Sequence, residues 1–292
     1  MNKFAVIDIG SNSVRLMMIA SGKVLYKTIK TTRLGEGLAF SNTLCEGAMV
    51  RTQTALNEFY LKAKEEGAEK IVAFATAAMR SATNGQVFAD RVEKEIGLKI
   101  EIISGDEEAE IGILGALGGQ DGAIIDIGGA STELIVQTKG AVSYRKSLDI
   151  GVVRIRDLCG RSQEKTRELS LETVKKYGNP ELSKKTYGIG GTATTMAAVL
   201  LDLMEYDGEA VSKTVVTRRQ VRELADELFS KSVEKIAKHP CVDPLRADVL
   251  AGGVEWLYAI LEYLNIDELY ISDGDNLEGY ALSRGLLGGD DE

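Results

Sequence analysis

The chain has 292 residues, 44% hydrophobic and 27% charged, and its formal net charge is −9 from 35 basic and 44 acidic side chains. At roughly 100–200 residues per domain this length predicts two domains, and no stretch reaches the ~18 consecutive apolar residues of a spanning helix. An acidic balance without a Lys/Arg block argues against nucleic acid and membrane surfaces as partners, and Asp8 interrupts the N-terminal apolar run, which predicts a cytoplasmic chain without a signal peptide.

Short β-like runs alternate with helical patterns, which predicts an α/β architecture. Phe4–Asp8, Val14–Ala20 and Lys23–Lys30 read as an antiparallel meander turning at Ser21-Gly22. An amphipathic helix follows from about Leu44 to Glu66 and stops at Gly67. Ile71–Ala75 is expected as a strand, Val87–Ile96 as a helix, Lys99–Ile103 as a strand and Gly105–Leu117 as a helix ending in Gly118-Gly119. The pattern then restarts with strands at Gly122–Asp126, Ser131–Gln137 and Ala141–Leu148. Helices near 151–158 and 163–177, a strand at Thr186–Ile189, helices near 192–203, 218–229 and 246–264, a strand at Leu269–Ser272 and a last helix from about 276 complete the chain.

The restart is an internal repeat. Ile7-Asp8-Ile9-Gly10-Ser11-Asn12-Ser13 corresponds to Ile125-Asp126-Ile127-Gly128-Gly129-Ala130-Ser131, close to one domain length further on. Each copy is an apolar strand ending in Asp, a Gly/Ser turn and a second apolar strand, which predicts a duplicated domain with one site between the halves.

The three cysteines, Cys45, Cys159 and Cys241, form no CxxC pair and read as small buried hydrophobes. His239 is the single histidine, placed in a polar surface loop, so histidine-rich metal sites are excluded. Chemistry must rest on carboxylates, hydroxyls, backbone amides and basic side chains. Gly and Ser in a tight turn leave N–H groups open to a phosphate, which marks Ser11, Asn12 and Ser13 in one copy and Gly128, Gly129 and Ser131 in the other. Asp8 and Asp126, at the ends of the preceding strands, are placed to hold a hydrated Mg²⁺. Arg15, a charge among apolar residues, reads as either a structural ion pair or a phosphate contact. Thr76, Arg80 and Asn84 offer a second phosphate clamp.

In Ser104-Gly105-Asp106-Glu107 the S-x-x-E spacing predicts a capping box, which gives Glu107 a structural role and leaves Glu108 without one. Its acidic neighbours make a solvated face the local reading for Glu108. Glu133 is an odd choice beside Leu134 unless it faces a cleft. Gly190, Gly191 and Thr192 form a glycine turn running into a helix, suited to a phosphate or nucleotide.

IDIGSNSVRL (7–16), ATAAMR (75–80), EIISGDEEA (101–109), IDIGGASTEL (125–134), GIGGTAT (188–194) and ISDGDNLEG (271–279) together resemble the exopolyphosphatase/guanosine pentaphosphate phosphohydrolase family. The resemblance implies two ribonuclease H-like domains of the actin–Hsp70–sugar kinase superfamily flanking a central cleft. Residues 1–120, rejoined by the last helix at about 276–292, would form one domain, and 121–275 the other. It implies Mg²⁺-dependent hydrolysis of a terminal phosphoanhydride, with Glu108 as the residue that positions water, Glu133 as a second catalytic carboxylate and a functional role for Asp126. Polyphosphate is the expected substrate, guanosine pentaphosphate the alternative, and a homodimer the expected assembly. A kinase or ATPase of the superfamily and a non-catalytic sensor are the remaining readings. Two positions depart from the family pattern: Ala130 replaces a glycine and Leu277 an arginine.

Overall fold

The computed structural model describes residues 2–182 and 185–288. The chain divides into two compact units, one running to Gly115 and resuming at Asn276, the other spanning Ala116–Asp275.

The sheet of the first unit contains, among the described residues, β1 (Lys3–Ile9), β2 (Ser13–Ala20), β3 (Lys23–Thr31), β4 (Lys70–Ala75) and β5 (Ile100–Ile102), in the order β3-β2-β1-β4-β5. β1 pairs antiparallel with β2 and parallel with β4, which is the ribonuclease H-like arrangement expected. Successive strand residues face opposite sides. Ala5, Ile7 and Ile9 therefore enter one apolar cluster, packed with Leu56 and Phe59 of the helix Glu46–Glu65. Val6 enters another, with Met17, Ile19, Phe74, Ile111 and Leu277. Both faces are covered, so β1 reads as a continuous apolar run broken only by Asp8, which lies on the Val6 face.

The second unit repeats this plan with β6 (Gly122–Ile127), β7 (Thr132–Thr138), β8 (Ala141–Leu148), β9 (Thr186–Ile189), β10 (Val215–Thr217) and β11 (Glu268–Ile271), ordered β10-β11-β9-β6-β7-β8. Ile125, Ile127 and Leu134 pack into a helical core around Trp256, which places Asp126 and Glu133 on the opposite face.

Most expected elements are present, with corrections at their ends. The helix expected over 163–177 gives way after Thr173 to a 3₁₀ turn, Val174–Tyr177, where the Tyr177 hydroxyl donates to Thr132 O at 3.0 Å. The helix expected from 192 begins at Gly190 and ends at Leu200. β10 and the short helices Ala77–Ser81, Gly208–Ser212 and Val233–Ile236 are too brief to show a period in the sequence. The last helix is Asn276–Ser283, and the expected stretch past 288 lies outside the described residues.

Cys45 is exposed rather than buried, Cys241 is half-covered, and Cys159 is buried as expected. His239 is largely covered, its Nδ1 accepting from the Cys241 N–H at 3.2 Å. Among the described residues, no helix is long and apolar enough to cross a membrane.

Candidate active site

In each copy of the repeat the turn closes on itself identically, Gly10 N donating to Ser13 O at 3.0 Å and Gly128 N to Ser131 O at 3.0 Å. Each turn is also held from behind. Thr32 N and Arg33 N donate to Asn12 O at 3.0 and 2.8 Å, and Gly35 N donates to Ser11 O at 2.7 Å. In the second unit Val152 N donates to Gly128 O at 2.9 Å and Val153 N to Gly129 O at 2.8 Å. Engaging these carbonyls turns acceptor oxygens away from the side a phosphate would approach. Ala130 is buried and is not among the positive-φ residues, so the methyl group causes no backbone strain.

Asp8 and Arg15 are directly opposite in the β1–β2 register, and Arg15 Nε donates to Asp8 Oδ2 at 2.9 Å. Arg80, from the short helix after β4, donates through Nη1 to Glu108 Oε2 at 2.7 Å and to Ile103 O at 3.3 Å. Glu108 is 7% exposed, so the acidic run does not leave it on a solvated face. Burial pushes its carboxyl above the usual carboxylate range; Arg80 and the Thr76 side chain pull it down, and Asp8 pushes it up again. Arg80, Asp8 and Thr76 thus all act on Glu108 within the first unit. Asn84 is not part of this clamp, because its amide bonds both ways to the Leu44 backbone, at 2.8 and 3.0 Å. The Ser104 cap is present, with Glu107 N donating to Ser104 Oγ at 3.1 Å, but the Glu107 carboxylate reaches Arg284 Nη2 at 2.9 Å.

The helix Gly105–Leu117, which carries Glu108, is buttressed by the last helix. A Cβ at Gly279 would overlap the Ile111 carbonyl, so only glycine permits that approach. Leu277 is fully buried beside Phe74 and Ile111, and it serves packing at the position where the family pattern carries a cation.

In the second unit Asp126 and Glu133 stand directly opposite in the β6–β7 register, and Ser147 Oγ donates to Glu133 Oε1 at 2.7 Å. Gly190 has φ +71, and a Cβ there would lie 2.5 Å from Asp126 Oδ1, so the glycine turn is fitted to this carboxylate. Thr192 uses its hydroxyl on Ile127 O at 3.2 Å and ties the turn to the end of β6. A side chain at Gly191 would occupy the space of the Arg246 guanidinium. Arg246 brings a cation to the glycine turn that the sequence reading missed, since an arginine in a polar loop carries no local signal. Among the described residues, no three or more His, Cys, Asp or Glu side chains gather as a ready-made metal cage.

The profile of the Ppx/GppA phosphatase family matches residues 16–286. The chain belongs to that family. It is 31% identical to exopolyphosphatase 2 of Mycobacterium tuberculosis over 316 aligned residues, covering 97% of this chain and 98% of that protein. It is likewise 31% identical to the guanosine-5'-triphosphate,3'-diphosphate pyrophosphatase of Vibrio parahaemolyticus, covering 97% of this chain and 58% of the relative. The crystal structure of the Aquifex aeolicus Ppx/GppA family member superposes with a TM-score of 0.78 at 29% identity, over 98% of each chain. Both named activities cleave phosphoanhydrides, so membership makes the protein an enzyme of the phosphoanhydride hydrolase class.

Proposed function

We propose that the protein is an exopolyphosphatase, releasing terminal orthophosphate from inorganic polyphosphate with Glu108 directing the attacking water. The observation that carries this reading is the Arg80–Glu108 pair, a buried carboxylate in the first turn of a helix, bonded at 2.7 Å to a guanidinium. Phosphoryl transfer to water needs positioning and charge stabilisation more than covalent chemistry. A carboxylate whose proton affinity is raised by burial is suited to accept a proton from water. Arg80 and Arg15 would hold the terminal phosphate, because a guanidinium offers more donors than one carboxylate consumes. Ser11, Asn12 and Ser13 in the first turn, and Gly128, Gly129 and Ser131 in the second, would cradle phosphates through their N–H groups. Gly190, Gly191 and Thr192 would add to the turn of the second unit, within that unit.

Mg²⁺ fits the donor set of the second unit better than that of the first. Asp8 is engaged by Arg15, whereas Asp126 stands opposite a second carboxylate, Glu133, in the β6–β7 register, so this unit offers two oxygen-donor side chains side by side. Hard oxygen donors in this number suit Mg²⁺, which keeps several waters and takes few carboxylates. Asp126 with Glu133 would hold the ion, which would neutralise charge on the phosphate chain.

Polyphosphate is preferred over guanosine pentaphosphate because the exopolyphosphatase relative is matched over 98% of its length and the guanosine relative over 58%. The test is phosphate release with Mg²⁺ from long polyphosphate, tripolyphosphate, guanosine pentaphosphate and ATP, with Glu108→Gln as control. Release from polyphosphate that the variant loses supports the reading. Release from the guanosine nucleotide alone would transfer the protein to that activity, and no release from any of the four would overturn it.

A further inference from the structure

Each unit aligns a row of three residues across its meander. Asp8, Arg15 and Ile29 stand opposite one another on β1, β2 and β3, and Asp126, Glu133 and Ser147 on β6, β7 and β8. The same offset along the chain separates all three pairs of counterparts. Both meanders also shift register at the matching place, between Met18 and Ile19 in one and between Val136 and Gln137 in the other. The third strands are therefore equivalent residue for residue.

Chemistry differs at two of the three positions, and the two differences go together. In the first unit Arg15 donates directly to Asp8, and the third residue is an exposed isoleucine with no polar group to offer. In the second unit the middle residue is a carboxylate and the third supplies a hydroxyl: Ser147 Oγ donates to Glu133 Oε1 at 2.7 Å. Most side-chain hydroxyls bond backbone or water. Ser147 is exposed to solvent, yet its hydroxyl turns to a carboxylate that is only 5% exposed. The main chain one residue earlier is fixed from the core side, where Trp256 Nε1 donates to Thr132 Oγ1 at 2.9 Å and the Tyr177 hydroxyl donates to Thr132 O. Those bonds settle the path of β7 but not the terminal torsion of Glu133, which for a glutamate is broad. A donor on one carboxylate oxygen narrows that torsion, and Ser147 provides it within the same unit.

We propose that Ser147 is a positioning residue, whose hydroxyl holds the Glu133 carboxylate in the orientation that receives a divalent cation. The inference rests on the reading of Glu133 as a donor to that cation. Its test titrates Mn²⁺, a paramagnetic substitute for Mg²⁺ with the same preference for carboxylate oxygen, into the full chain without phosphate substrate. Binding is followed by electron paramagnetic resonance in the parent, Ser147→Val, Ser147→Thr and Glu133→Gln, with melting temperatures recorded without metal. Valine and threonine are both β-branched and differ here by the hydroxyl alone. At the site that Glu133→Gln weakens, Ser147→Val is expected to lower Mn²⁺ affinity about fivefold, while Ser147→Thr retains it and the melting temperatures of both stay level. Parent-like affinity in Ser147→Val, with loss in Glu133→Gln, would overturn the proposal and leave Glu133 as a donor. Equal loss in Ser147→Val and Ser147→Thr would make the effect one of packing and overturn it as well. Unchanged affinity in Glu133→Gln, or no Mn²⁺ bound by the parent, would overturn the reading of Glu133 and this inference together.

Discussion

Across the strand pair from Asp8 stands Arg15; at the same place in the second copy, across from Asp126, stands Glu133. The backbone of the two units is the same here, down to the 3.0 Å bond that closes each turn. The charge is opposite. In the first unit the aspartate is neutralised from within the chain, and its neighbourhood holds a second cation–carboxylate pair, Arg80 with Glu108. In the second unit two carboxylates stand opposite each other beside a glycine turn, to which Arg246 brings the cation. Both copies keep the same turn scaffold, and one cross-strand position separates an aspartate–arginine pair from a pair of carboxylates.

The largest effect that would break this comparison is at Glu108. Glu108→Gln is expected to lower kcat about 100-fold or more, measured as phosphate release from polyphosphate. The same substitution should leave the melting temperature at pH 7 unchanged or raised, since a carboxyl whose folded pKa is raised stabilises the fold only below that pKa. By the same sign, kcat/KM should fall as pH drops through a value above the ordinary carboxylate range of 4.5, and this acid limb should be absent from the residual activity of the variant. A next, smaller effect separates the two carboxylate sites. Glu133→Gln should raise the Mg²⁺ concentration needed for half-maximal activity about tenfold, whereas Asp8→Asn should shift it less and act through Arg15. Equal shifts in both would erase the distinction between the units. Gly190→Ala should cost about 1–3 kcal/mol in urea unfolding, because it strains a positive φ and sets a methyl group 2.5 Å from Asp126 Oδ1. The smallest effect is at Arg284→Ala, whose partly exposed pairs with Glu101 and Glu107 contribute about 1 kcal/mol or less.

The sequence made the strands and the repeat legible because period-2 runs and turn glycines are local signals. Asp8, Asp126 and the two turns were readable for the same reason. Glu108 was not readable from its surroundings, since Asp106, Glu107 and Glu110 give it the appearance of a solvated face. Its burial depends on Arg80, 28 residues away, and on the packing of the helix around Ile111. Asn84 was misread as part of a clamp because nothing nearby shows that its amide meets Leu44, 40 residues earlier. Arg246 gave no signal at all: it reaches a glycine turn at Gly191, far off in the chain.

The first unit is built from two stretches of chain separated by the whole of the second. During synthesis, at ~5–20 residues per second, the helix carrying Glu108 must wait on the order of ten seconds or more before Leu277 and Gly279 emerge to pack against it. The core of the second unit is itself completed only when Trp256 and Ile271 emerge, a few residues ahead of Leu277, and until then the first lacks the covering for Phe74 and Ile111. Glu108 is therefore set in place only after the whole of the second unit has been made. The two units reach completion together, within a few residues of one another, rather than one after the other.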